Sequence, residues 1–191
     1  MARVVGIGNQ SFESIRKKDT FYIDKTAFIK EWWENEDIVT LITRPRRFGK
    51  TLNMDMLRCF FSNEYKDRGE LFEGLNIWED EKYRKIQGAY PVIFLSFAGI
   101  KGNTFELSRK QISDRIIDLY ESNRFLLKSD CISDTEKARY ISFLENPMDE
   151  DISFKLNELS NYLSRYYKKK VIILLGELCQ IVDACGNCYF R

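Results

Sequence analysis

Apolar residues fall along this chain in short runs and in helical stripes, and the two rhythms alternate. Residues 21–34, F-Y-I-D-K-T-A-F-I-K-E-W-W-E, read as a short extended piece followed by a helix whose apolar face carries Phe28, Ile29, Trp32 and Trp33. The apolar run Ile38-Val39-Thr40-Leu41-Ile42 predicts a strand. Residues 52–61 are apolar nearly all round, with Leu52, Met56 and Phe60 on one line and Met54, Leu57 and Phe61 on another, so they predict a helix buried on two sides. A connecting segment broken by Gly69 and Gly74, with room for a short helix, leads to Tyr90–Phe97. That near-unbroken apolar run, with Pro91 at a tolerated strand end, predicts a buried parallel strand.

Two capping signals follow. Asn103-Thr104-Phe105-Glu106 resembles a capping box and opens a helix to about Phe125 with Ile112, Ile116 and Leu119 on one stripe. Ser133-Asp134-Thr135-Glu136 repeats the signal for a helix that Pro147 terminates. From about Asp151 a third helix carries Ile152, Leu156, Leu159, Leu163 and Tyr166 along one face, and Lys168, Lys169 and Lys170 sit where positive charge complements its dipole. Val171–Leu175 is a further short apolar strand. Strands alternating with helices predict an α/β fold around a mostly parallel sheet.

The chemistry concentrates between the Ile38–Ile42 run and the apolar helix. Residues 44–51 read R-P-R-R-F-G-K-T, and strand, loop and helix in that order are what a phosphate-binding loop requires. Gly49 lets backbone approach an oxyanion without a Cβ in the way, and the N–H groups opening the next helix point at the phosphates. Lys50 reaches phosphate oxygens and the Thr51 hydroxyl ligates Mg²⁺. Phe48 and Leu52, on either side of Gly49-Lys50-Thr51, complete the candidate nucleotide-binding residues, and Arg44, Arg46 and Arg47 are candidates for added phosphate contacts, two of them equally readable as solvent-facing charges. Arg44 and Pro45 depart from the usual G-x-x-x-x-G-K-[ST] pattern, so a basic surface turn is the competing reading. Trp32 and Trp33 could stack a base, although aromatics at helical spacing more often build core.

Composition narrows the chemistry further. The chain has 191 residues, with 30 basic and 29 acidic side chains and a net charge of +1, so no global field favours nucleic acid or an anionic membrane. Apolar runs stay far below the roughly 20 residues a membrane helix needs, and the N-terminus lacks a signal-peptide core, which predicts a cytoplasmic protein. The absence of histidine excludes Ser-His-Asp and Cys-His catalysis and histidine-containing zinc sites. Of five cysteines, Cys179, Cys185 and Cys188 crowd the last thirteen residues. Three thiolates without a fourth ligand make a poor closed zinc site, and reduced thiols are expected.

With the phosphate loop, F-Y-I-D-K-T, P-V-I-F-L-S-F and V-I-I-L-L in this order, residues 1–175 resemble the bacterial AAA-ATPase-like family, whose loop reads close to T-R-P-R-R-F-G-K-T. The resemblance implies a P-loop NTPase-like three-layer sandwich, ATP and Mg²⁺ as ligands, and an ATPase domain usually continued by a second half and a PD-(D/E)XK nuclease-like domain. It also implies an acidic I-D-E-Y-D sequence after the last strand, where this chain has Leu175-Gly176-Glu177-Leu178-Cys179. Gly176 then occupies the place of the magnesium-supporting aspartate, and Glu177 that of the glutamate that orients the attacking water. An ATPase-like protein with ATP binding but weak or absent hydrolysis is expected, with a nucleotide-dependent scaffold or a nucleic-acid-binding module as alternatives. The expected organisation is an N-terminal segment over 1–36 packing on the core, an NTPase core (its N-terminal half) over 37–175, and a divergent tail over 176–191 that reads as altered or truncated, with a genuine divergent terminus as the alternative. A sheet lacking its further strands would leave edges open to self-association or a partner protein.

Overall fold

The computed structural model describes residues 4–6, 8–43, 48–100, 104–147 and 152–176. Its described residues form two compact units, one running through Val92 and one starting at Ile93.

The first unit is helical and is built on aromatic packing. Helix α1 (Phe12–Lys17) starts where the Ser11 side chain accepts from the Ser14 N–H at 3.2 Å. The Asp55 carboxylate accepts from the Phe12 N–H at 2.7 Å and so ties α1 to α3 (Lys50–Phe61). Helix α2 (Ala27–Glu34) buries Ile29 and lays Trp33 flat on Phe61, with the Trp32 ring edge-on to the same phenyl. Both tryptophans, each half-buried, thus pack against α3, as their helical spacing favours. In α3 the buried residues are Asn53, Met56, Leu57, Cys59, Phe60 and Phe61, while Leu52 and Met54 are half-buried. The two-sided burial read from the sequence thus holds for the later turns, away from the loop.

After α3 the backbone passes through 3₁₀ turns at Asn63–Tyr65, Gly69–Phe72 and Asn76–Glu79 to the one-turn helix α4 (Glu81–Arg84). Gly88 has φ +62°, and a Cβ there would lie 2.2 Å from the Lys66 Cα, so only glycine fits this crossing. The close approach lets the Gly88 and Tyr90 N–H groups donate to the Phe60 and Phe61 carbonyls, and a parallel bridge joins Ser62 to Tyr90.

The second unit holds a small parallel sheet of two strands, β1 (Val92–Ser96) and β2 (Ile172–Gly176). Along β1 burial alternates, with Ile93 and Leu95 inside, so this strand is covered more on one face than its unbroken apolar run predicts. Helices α5 (Phe105–Ser122), α6 (Asp134–Glu145) and α7 (Lys155–Tyr167) supply the core with Ile116, Tyr120, Tyr140, Phe143, Leu159, Tyr162 and Leu163. The cap of α5 is Thr104 accepting from Leu107, a simple cap and not a box. At α6 the Ser133–Glu136 capping box is complete, and the helix ends at Glu145, two residues before Pro147. Residues Ile152–Phe154 form a 3₁₀ turn, so α7 begins later than the apolar stripe suggests, and it ends at Lys168 in a left-handed turn with Lys168–Lys170 exposed.

One expected strand does not form. Ile38–Ile42 has no ladder partner among the described residues, and Ile38, Val39 and Leu41 are largely exposed. The sheet is therefore two-stranded among the described residues, where a larger mostly parallel sheet is expected. An apolar run expresses a preference for extended backbone, but a strand also needs a partner edge to accept its hydrogen bonds.

Candidate functional site

The loop ends in a backbone geometry suited to an anion. Phe48 and Gly49 form a bend, and Gly49 sits at the N-cap of α3 with φ 75° and ψ 22°, a left-handed conformation that glycine adopts without Cβ strain. Its carbonyl accepts the Asn53 N–H at 2.9 Å, closing the first turn directly behind it. No side chain caps α3 at Gly49, and its first turn carries no acidic residue. At α1, α5 and α6, by contrast, a serine or threonine caps the end and an acidic residue sits in the first turn. The positive end of the α3 dipole is thus left without a neighbouring carboxylate in its own first turn.

Lys50, Thr51 and Leu52 are the opening residues of α3, each half-buried, and Phe48 is 59% exposed. Five of the expected site residues are therefore contiguous on one turn. Arg44, Arg46, Arg47 and Glu177 lie outside the described residues, as do Cys179, Cys185 and Cys188. Gly176 closes β2 and is buried, its carbonyl accepting the Phe97 N–H at 3.0 Å.

Two residues near this turn escaped the sequence reading. Asn53, one turn into α3, is only 4% exposed, and its Oδ1 has no hydrogen-bond partner among the described residues. Lys25 belongs to the F-Y-I-D-K-T segment, and, leaving aside Gly49 and its two chain neighbours, its Nζ is the nearest described atom to the place where a Cβ on Gly49 would stand, at 3.6 Å. The signal in sequence was the lysine set between Asp24 and Thr26. Burial works against charge on Asp24, but the Asn76 and Thr26 N–H groups and the Thr26 hydroxyl hold its carboxyl below the ordinary range.

The remaining polar groups of α3 face other work. Burial raises the Asp55 carboxyl, only partly offset by the Phe12 N–H and Arg58. Cys59 is fully buried, and desolvation pushes its thiol up to about 12, which makes it an inert core residue. No cluster of three or more Cys, Asp or Glu able to hold a metal occurs among the described residues. No helix among them is long and apolar enough to cross a membrane.

A family model described as a predicted AAA-ATPase matches residues 6–183. Over 136 residues the chain is 31% identical to an uncharacterized protein in the vnfD 5′ region of Azotobacter chroococcum mcd 1, a stretch covering 70% of this chain and 24% of that protein. The chain matches about a quarter of the length of that curated relative. No solved structure matches it.

Proposed function

The chain belongs to the predicted AAA-ATPase family, and on that premise we propose that it binds ATP with the phosphates seated on the Phe48–Leu52 turn at the start of α3, within a P-loop NTPase-like α/β fold. The observation that carries this reading is Gly49 in a left-handed N-cap, followed directly by Lys50 and Thr51 on a helix whose first turn holds no acidic residue. Each part has a physical task. The glycine admits the oxyanion, the opening N–H groups of the helix solvate it, and Lys50 supplies a mobile positive charge. Arg44, Arg46 and Arg47 precede the turn and add local charge in a chain whose net charge is only +1.

A Mg²⁺ ion would take the Thr51 hydroxyl, with the remaining oxygens coming from the nucleotide and water, because Mg²⁺ demands six oxygens and keeps several waters. When bound it neutralises developing charge on the β and γ oxygens. Glu177 is the carboxylate we assign to orienting the attacking water. The residue before it, Gly176, has no side-chain oxygen to support the metal, which favours binding over rapid turnover. Nucleic acid is disfavoured by the near-zero net charge.

Calorimetric titration of Mg-ATP into the wild-type chain and Lys50→Ala tests the reading. Wild type should bind, and Lys50→Ala should bind at least about tenfold more weakly, as expected for loss of a charge-assisted contact of about 1.5–3 kcal/mol. Equal affinities would remove Lys50 from the site.

A further inference from the structure

We infer that Lys25 is a second cation of the phosphate site, delivered from the segment before the loop; this rests on the reading of Gly49–Thr51 as a phosphate loop. The geometry is specific. In Asp24-Lys25-Thr26 the two outer residues are consumed in fixing the backbone. Asp24 accepts from the Thr26 N–H at 2.8 Å, the Thr26 hydroxyl at 2.7 Å and the Asn76 N–H at 2.7 Å. The Thr26 hydroxyl in turn accepts from the Ile77 N–H at 3.1 Å, and Thr26 is fully buried. The middle residue therefore projects from an anchored turn.

Its side chain runs to the loop. Leaving aside Gly49 and its two chain neighbours, the Lys25 ammonium is the nearest described atom, at 3.6 Å, to the space above Gly49 that a Cβ would fill. Lys25 is half-buried and forms no ion pair among the described residues. Asp24, its sequence neighbour, already accepts three hydrogen bonds. A cation placed beside an αL glycine at a helix N-terminus adds to the positive end of the dipole, and that combination is costly without an anion and favourable with one. The ligand class that fits is a di- or triphosphate, whose multiple charges can be shared between Lys50 and Lys25.

The test titrates ATP, ADP and AMP into the wild type, Lys25→Met, Lys25→Arg and Lys50→Ala, at two salt concentrations. Lys25→Met retains the aliphatic stem and removes only the charge. It should lower ATP affinity about tenfold, lower AMP affinity less, and weaken the salt dependence of the dissociation constant, while Lys25→Arg stays within about threefold of wild type. A fold or packing role for Lys25 would move all three nucleotides alike and leave the salt dependence unchanged. If Lys50→Ala weakens ATP binding and Lys25→Met does not, the inference about Lys25 falls while the phosphate loop stands. If wild type binds no nucleotide, the phosphate-loop reading falls and takes this inference with it. Should Lys25→Met fail to fold, a Lys25→Gln variant read by the same titrations decides between these outcomes.

Discussion

At Phe60 a single side chain shows how the loop helix is held in place. Its ring is fully buried, packs edge-on to Phe61 and Phe72 with centroid separations of 4.9 and 5.1 Å, and its carbonyl takes the Gly88 N–H. Removing it leaves a cavity that neighbouring rings can fill only in part. Phe60→Ala should therefore cost roughly 3–5 kcal/mol in denaturant unfolding, whereas a surface position would lose no more than about 0.5 kcal/mol. A loss in the surface range would place Phe60 outside the core. Burial of this kind was readable in sequence, because apolar residues on two lines of one helix leave no face for water. The approach of Lys25 to Gly49 was not readable, since it spans 24 positions, and Asp24 and Thr26 on either side of it are held by the Asn76 and Ile77 N–H groups.

Elements whose signals are local came through the sequence intact. The Ser133–Glu136 capping box is closed within four residues, and the structure forms it with Ser133 accepting from the Glu136 N–H and Glu136 accepting from the Ser133 N–H at 2.7 Å. Ile38–Ile42 shows the opposite case. Its apolar run carries a β preference, yet strand formation requires a partner edge elsewhere in the chain, and Ile38, Val39 and Leu41 remain exposed. The α6 box also makes a prediction in pH. The Arg165 guanidinium and the Ser133 backbone N–H and hydroxyl hold Glu136 down at about 2, against an ordinary value of 4.5. A carboxyl depressed in the folded state contributes stability that is fully present above its unfolded value and is lost as pH falls toward the folded one. Stability of the wild type should thus decline from about pH 5 downward more steeply than that of Glu136→Gln, followed by denaturation midpoints across that range. Parallel profiles would show that Glu136 is as solvated as an ordinary surface glutamate. Ser133→Ala should separately cost about 0.5–2 kcal/mol, the usual effect of losing an N-cap.

For the molecule as a whole, binding and turnover make different demands. A phosphate cradle can be assembled on one helix and its preceding turn, so affinity, in the function proposed above, asks little beyond Phe48–Leu52 and the residues beside them. Hydrolysis also requires a supported metal and a carboxylate that positions water, and these requirements bring in residues far along the chain. In the predicted AAA-ATPase family to which the chain belongs, the end of β2 is where the resemblance leads one to expect an acidic pair, and there the chain carries Gly176 before Glu177. Gly176 offers only its backbone, whose carbonyl is already engaged by the Phe97 N–H. The chain should therefore bind Mg-ATP and release phosphate slowly. The measurement is phosphate release at saturating Mg-ATP for the wild type, with Lys50→Ala as the blank. Release indistinguishable from the blank, alongside calorimetric binding by the wild type, is the expected result. A wild-type rate near 1 s⁻¹ or above, the lower end of the ordinary enzymatic range of about 1–10³ s⁻¹, would mean that Thr51 and Glu177 drive the chemistry without an aspartate at position 176.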